Sequence, residues 1–301
     1  MNLTMRQFEV LAAAADAATF SAAAKQVGIS QPAFSETIRR IEGALGQTLF
    51  ERTTRSLRLT DAGRRAAAIA REAVQDFKRA SDRMAASNDG SRGRVTIAAL
   101  PSIACAAVPR ALAQFTRAFP NIDIDLHDVQ HERAMTLVHD GIVDIAVTLR
   151  PSRTSGLGFE SVATDTAHLV CPPTHALARH KSVRWRDLAG YPFIGITRIS
   201  SVRRLTDAAF VHGGIVIEPR YEVEQVPSAI ALVEAGLGIT ALPSLTFAMF
   251  KGRNLAVRPL IDPVMRRNVG FVTREHRALP AFAEALKRAI RDQLRSSTIS
   301  S

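Results

Sequence analysis

The sequence predicts an α/β protein carrying an all-α winged helix-turn-helix domain at its N-terminus, then a long linker helix, then two successive α/β runs. Three observations carry that prediction. Residues 20–60, FSAAAKQVGISQPAFSETIRRIEGALGQTLFERTTRSLRLT, read as a short helix, a glycine turn, a second helix and a basic hairpin. Residues 61–88 place apolar side chains at nearly heptad spacing in an otherwise charged stretch. From Arg94 onward, strand and helix patterns alternate in the way of β-α-β units.

In chain order, Thr4 and Gln7 have capping-box spacing, and Leu3 and Phe8 have that of a hydrophobic staple, so a first helix begins here. It continues through Leu11 and Ala15 and packs behind the next two helices. Ser21 is a plausible cap for a short helix over Ala22 to Val27, which Gly28 ends by taking a positive φ. Ser30 caps the following helix, with Pro32 in its first turn, and Gly46 stops it after Leu45. Phe34, Ile38, Ile41 and Leu45 recur at helical spacing and share one inward face. Gln31, Pro32, Ser35 and Arg39 fall on the opposite face. A polar front with an amide and a guanidinium suits the DNA major groove, where both groups pair bidentately with base edges. Around a small polar turn, Arg52, Arg55 and Arg58 alternate with apolar residues as a two-stranded wing, placing cations beside phosphates. A helical hairpin with a solvated basic loop is the bland alternative, since a glycine turn between helices is common.

Thr60 and Asp61 start another helix, as cap and as first-turn acid. Ala62, Ala66, Ile69, Ala73, Phe77, Ala80 and Met84 line one side of it. That side either packs on its own domain or forms a seam with a second copy; the length and polarity of the helix favour the seam. Two copies would then set two reading helices on successive groove faces, so the operator is expected to be an interrupted inverted repeat. Ser87 to Gly93 is small, polar and glycine-rich, hence a hinge. Beyond it we expect strands at 94–100, 122–126 and 144–148 with helices at 102–119 and 132–140. A second set follows, with strands at 168–171, 193–196, 215–223 and 239–242 and helices at 201–212 and 228–235. A strand at 268–273 and a helix from Pro280 to about Arg295 close the chain.

Composition sets limits. The chain has 301 residues, room for two or three domains. No leader with a charged start and an apolar core is visible, and no uncharged run is long enough for a bilayer, so a cytoplasmic protein is expected. Cys105 and Cys171 lack the spacing of a redox pair or zinc site, and core packing is expected for both. Of the net charge of +11, residues 1–90 carry 13 Lys/Arg against 10 Asp/Glu, so most of the excess lies outside the reading segment. The placement of Arg39, Arg52 and Arg55 therefore matters more than the total.

The ungapped run SQPAFSETIRRIEGALGQTLFERTTRSLRLTDAG is similar to the signature of LysR-type transcriptional regulators. Phe34 and Ile41 stand where that family usually has other aliphatics, and Glu36 adds an acid beside the reading face. The later residues resemble, more loosely, the family's effector-binding region, which is similar in fold to periplasmic solute-binding proteins. The resemblance implies a winged helix-turn-helix domain over 1–60 (motif about 20–39, wing about 49–60), a linker/dimerisation helix over 61–88 and a hinge over 89–93. An effector-binding domain over 94–301 would follow, built as two α/β Rossmann-like half-domains of type 2 periplasmic-binding-protein-like fold. Half-domain one would comprise 94–162 and 268–301, and half-domain two 163–267. It also implies action on the protein's own gene and a divergently transcribed neighbour.

Candidate DNA-binding residues are thus Ser30, Gln31, Pro32, Ser35 and Arg39 on the helix and Arg52, Thr53 and Arg55 on the wing. Strand ends of open α/β domains, where helix N-termini offer free N–H groups, hold ligands. The corresponding effector-binding candidates are Ser102, Ile103, Gln130, Arg150, Thr197, Arg198, Ser200 and Pro227. Ser102 alternatively only caps its helix, and Arg150, Arg198 and Arg203 favour an anionic effector only if they face inward. The run Asp125 to Glu132 holds two histidines and several acids, but its ligands need not converge and no metal is expected. The expected partners are double-stranded operator or promoter DNA, a small-molecule effector, further copies as homodimer or homotetramer, and RNA polymerase. No membrane partner, cofactor or catalytic residue is expected. A transport module would want a leader, and an α/β enzyme a phosphate loop or nucleophile elbow; neither is present.

Overall fold

The computed structural model describes residues 3–52, 57–85, 93–152, 156–275 and 277–299. Thr53, Arg55 and residues 86–92, which take in all of the expected hinge except Gly93, lie outside the described residues, and Gly93 opens a strand. The chain divides into two compact units, Met1–Arg94 with His139–Ile142, and Val95–Val138 with Val143–Ser301.

In the first unit, α1 (Met5–Asp16) starts at Thr4, whose hydroxyl accepts from Gln7 N while the Gln7 side chain accepts from Thr4 N. Both halves of the predicted capping box are present. Helix α2 (Phe20–Gln26) is capped by Thr19, not Ser21. Its first turn thus takes in Phe20, whose ring packs 5.6 Å from both Phe34 and Phe50. Gly28 and Gly46 take φ of 70° and 65°, turning the chain on either side of α3 (Gln31–Leu45). Phe34, Ile38 and Ile41 are fully buried on the back of α3. Burial of each such side chain contributes roughly 1.5–3 kcal/mol. The hairpin of β1 (Phe50–Arg52) and β2 (Leu57–Leu59) pairs antiparallel as expected.

Helix α4 (Asp61–Ala85) begins at Thr60, whose hydroxyl accepts from Gly63 N at 2.9 Å and donates to Thr48 O at 2.8 Å. A Cβ on Gly63 would sit 2.0 Å from Leu49 O, so only glycine permits this approach of helix to wing. Gly63, Ala67 and Ala70 are buried, and Ala62 and Ala66 pack against the head core. The head-packing reading therefore holds for the start of the predicted seam. Further along, Ile69 and Phe77 are 60% and 54% exposed. The side chains of Ala80 and Met84 lie outside the described residues.

The second unit contains β3 (Gly93–Ala99), α5 (Pro101–Ala106), α6 (Val108–Ala118), β4 (Ile122–Asp128), α7 (His131–His139), β5 (Ile145–Leu149) and β6 (Leu157–Cys171). There follow β7 (Val183–Arg184), β8 (Ile194–Ile196), α8 (Ser201–His212), β9 (Tyr221–Val223), α9 (Val226–Glu234), β10 (Thr240–Pro243), β11 (Ala256–Ile261), β12 (Arg266–Arg274) and α10 (Ala281–Ile299). One sheet runs β4-β3-β5-β12-β6-β11-β7, with β10 also on β6; β8 and β9 form a separate pair. The expected parallel pairing holds for β3 with β5 and β8 with β9. By contrast, β12, β10 and β11 pair antiparallel with their neighbours β5 and β6.

Several elements differ from the sequence expectation, each for a local reason. The helix expected over 102–119 breaks at Ala107, because Pro109 in the first turn of α6 cannot continue the hydrogen-bond ladder. Residues 215–220 are not strand, since Pro219 lacks the donor a strand needs. Strand β6 starts at Leu157, eleven residues before the expected His168, in a polar stretch without an apolar run. Strands β7 and β11 were not foreseen. Opposite the kink between Val269 and Gly270, the β12–β6 register passes from Ala163 to Ser161 and skips Val162.

Side chains gather into distinct cores on either side of this crossing. One joins Ile97, Ile103, Phe115, Phe271 and Leu286. Two others lie in the second set of elements, around Trp185, Phe193 and Phe210, and around Ile194, Ile230 and Leu242.

Candidate functional site

On α3 the front and back separate cleanly. Ser30 caps the helix, its Oγ accepting from Ala33 N at 3.4 Å. Gln31, Pro32 and Arg39 are exposed and Ser35 half-buried, on the face opposite the buried Phe34, Ile38 and Ile41. Glu36 lies 3.2 Å from Arg40 Nε and 3.8 Å from Arg39 Nη1, so Arg39 is the more loosely held guanidinium. One positioning residue escaped the sequence reading. Glu42 Oε1 accepts from Leu49 N at 2.8 Å and Phe50 N at 3.3 Å, tying the end of α3 to the first wing strand. Arg52 ends β1, and Arg58 on β2 is exposed opposite Glu51.

The second unit holds a cleft lined by Leu100, Pro101, Ser102, Gln130, Ile196, Ser200, Ser201, Val202, Glu224, Gln225, Val226, Thr246, Met249 and Arg267. Its empty space is about 400 Å³, including the open mouth. Of the sequence candidates, Ser102, Gln130 and Ser200 line it. The other five do not. Ile103 is buried in the core of the first set. The Arg150 guanidinium stacks 4.8 Å over the Phe159 ring. Thr197 donates its backbone N–H to Val223 O at 2.9 Å, and Arg198 and Pro227 are exposed outside the lining. Arg203 turns inward but is engaged by Asp207 at 2.6 Å and Glu222 at 2.8 Å. The three arginines that would make the cleft cationic if they faced into it therefore do not line it.

A different arginine does. Arg267 on β12 faces Asp165, its cross-strand partner on β6, and both are buried. Its Nε and Nη2 donate to Asp165 Oδ2 at 2.9 and 2.7 Å. Asp165 Oδ1 accepts from Ser244 Oγ at 2.6 Å and Leu245 N at 3.2 Å. The remaining guanidinium N–H groups reach Ser201 Oγ on α8 at 3.1 Å and Ser102 Oγ on α5 at 3.4 Å. One side chain on a crossing strand thus contacts the helix starts on both sides of the cleft. Nothing in the sequence marks the pair, because its members lie 102 residues apart in polar strand segments.

Nearby, Glu132 on α7 and Arg204 on α8 meet at 2.6 Å, and this hydrogen bond holds the Glu132 carboxyl below its usual value. His131 Nδ1 lies 2.8 Å from Thr148 Oγ1, and burial lowers its pKa. His127 sits 3.5 Å from Asp125. Among the described residues no group of three or more His, Cys, Asp or Glu is placed to hold a metal ion. Core packing is right for Cys171, whose thiol burial pushes up to about 11. It is wrong for Cys105, which is exposed, on the outer side of the short helix α5. Partial burial and the Asp128 carboxylate raise its pKa as well. Among the described residues no helix is long and apolar enough to cross a membrane.

Residues 5–64 match the model of the bacterial regulatory helix-turn-helix proteins of the lysR family, and residues 88–295 match that of the LysR substrate binding domain. The chain is 32% identical over 281 residues to the uncharacterized HTH-type transcriptional regulator YbhD of Escherichia coli K12, covering 93% of this chain and 88% of that one. It is 24% identical to the hydrogen peroxide-inducible genes activator of Dickeya chrysanthemi, over 97% of this chain and 96% of that one. Full-length CbnR in complex with its target DNA shares the fold at a TM-score of 0.67 and 21% identity, over 97% of this chain and all (100%) of that one. With two family models spanning nearly its whole length, a helix-turn-helix head and a mixed α/β domain after it in the chain, the chain belongs to the LysR family of DNA-binding transcriptional regulators, with an effector-binding domain.

Proposed function

We propose that the protein reads an interrupted inverted-repeat operator as a dimer or tetramer and answers a small molecule held in the cleft of the second unit. The observation that carries the first part is the split of α3 into a buried apolar back and an exposed front of Gln31, Pro32, Ser35 and Arg39. Gln31 and Arg39 act as base readers, Ser30 and Ser35 approach the backbone, and Arg52, Thr53 and Arg55 of the wing contact phosphates. Residues 61–88 pair two copies through the exposed Ile69 and Phe77. RNA polymerase is a further partner, and the cytoplasm, where its DNA target lies, is the site of action.

For the second part, the support is polar convergence on the cleft from elements with separate cores. Half-domain one comprises 94–162 and 268–301, half-domain two 163–267, and the effector lies between them against Ser102, Gln130 and Ser200. Binding shifts an existing equilibrium in the angle between half-domains, and with it the quaternary arrangement on DNA. A thiol-based peroxide response, raised by the Dickeya relative, is the weaker reading. Both thiols are pushed up in pKa, away from the reactive thiolate.

The test is a titration of purified full-length protein against the DNA upstream of its own gene, with scrambled competitor, for wild type and Gln31→Ala. Selective binding is expected for wild type, with about 1–3 kcal/mol of discrimination lost in the variant. Equal weakening on operator and scrambled DNA would remove Gln31 from the reading role.

A further inference from the structure

Resting on the cleft assignment above, we infer that the effector is amphoteric: a small α-amino acid whose carboxylate sits on Ser102, Ser201 and Arg267 while its ammonium group meets Glu224. Ser102 and Ser201 are each only 6% exposed, and both line the cleft. Each hydroxyl accepts from Arg267, and neither hydroxyl proton has an acceptor among the described residues. Two buried O–H donors from opposite sides of a cleft, with a guanidinium between them, form a seat for one oxygen acceptor. Two helix starts lie beside it. Helix α8 begins at Ser201, and α9 begins after Gln225, whose side chain makes no hydrogen bond to the first turn. Both add N–H groups and positive dipole ends to the same side of the balance.

Charge then decides between a plain anion and a zwitterion. Among the described residues, Arg267 is the one cation in the lining; Asp165 already matches it, and Glu224 adds a second carboxylate. A simple carboxylate would bring a third negative charge to a site with one guanidinium. An amino acid brings a carboxylate to the donors and an ammonium to Glu224, adding no net charge. Ile196, Val202, Val226 and Met249 supply an apolar wall, so the side chain is apolar.

The experiment is calorimetric titration of the full-length protein with the twenty proteinogenic L-amino acids. For leucine, valine and methionine, the matched carboxylic acids and amines are titrated in parallel. An apolar amino acid is expected to bind at least about tenfold more tightly than its deamino acid and its decarboxylated amine. Glu224→Gln, at an exposed position that leaves the fold intact, should weaken the amino acid about tenfold and, with one negative charge gone, bind the matched acid more tightly than wild type does. Ser102→Ala with Ser201→Ala should weaken acid and amino acid alike. A carboxylic acid that binds as well as the amino acid overturns the amphoteric assignment and leaves the cleft as the effector site. If none of the amino acids, acids or amines binds, the class and the cleft assignment both fall, while the operator titration judges DNA reading independently.

Discussion

The reading head and the cleft solve opposite problems. In the head, the groups proposed to meet DNA stand on the outside of α3 and the groups that hold it together stand on the inside. Function and stability occupy different residues of one helix. In the cleft, Ser102, Ser201 and Arg267, proposed to meet the ligand, are themselves buried. Arg267 and Asp165 belong to the sheet and bridge its crossing strands, and Arg267 also lines the cleft, so in the proposed site function and stability share a side chain. A recognition surface for a large partner is exposed by necessity, whereas a small ligand must be surrounded.

The strongest way to break this contrast is Asp165→Ala. It strands a buried guanidinium, and unfolding of the second unit should become easier by about 3–5 kcal/mol, read in denaturant melts. A loss below about 1 kcal/mol would mean that the pair is not structural. Gln31→Ala is the counterpart in the head: its melting should stay within about 0.5 kcal/mol of wild type although selectivity is lost. A large stability change there would erase the separation of roles.

A smaller effect sharpens the comparison within the head. Thr60 caps α4 and also holds the wing through Thr48 O, so Thr60→Ala should cost about 1 kcal/mol of head stability. The second unit's melt should be unchanged. The gentlest probe changes no residue. Burial lowers the pKa of His131 and His168 from 6.5, so the unfolded chain binds more protons below that value. Their contribution to stability is complete above about pH 6.5 and falls as pH drops through the lower folded values. None of the eight histidines lies in residues 1–94, and His139, which the division counts with the first unit, is exposed. Scans from pH 7.5 to 5 should therefore lower the second unit's transition first, with the head's following only toward the carboxylate range.

The two regions were also unequally legible. Capping at Thr4, Ser30 and Thr60, the stops at Gly28 and Gly46, and the buried stripe of α3 follow from contacts a few residues apart. Even the one misplaced cap, Thr19 for Ser21, moved only two positions, drawn by the packing of Phe20 on Phe34 and Phe50. In the second unit most helices and strands were legible, because their apolar periodicity is local. The cleft was not. Ser102, Gln130 and Ser200 were found by the rule that ligands lie at strand ends. Which way Arg150 and Arg203 face was left open, because nothing local shows that Arg150 stacks on Phe159 and that Asp207 and Glu222 hold Arg203.

By itself, then, the sequence determined the order of elements in the head and most of those beyond it, the two faces of α3, the wing and the family. These depend on spacing within one or two turns, which the chain carries wherever it goes. Only the tertiary structure decided which charges meet. Strand register sets Arg267 opposite Asp165, and the helix starts at Ser102 and Ser201 meet that guanidinium across the cleft. A buried charge is tolerable only beside its counter-charge, and that partner is chosen by the fold in space, not by neighbourhood along the chain.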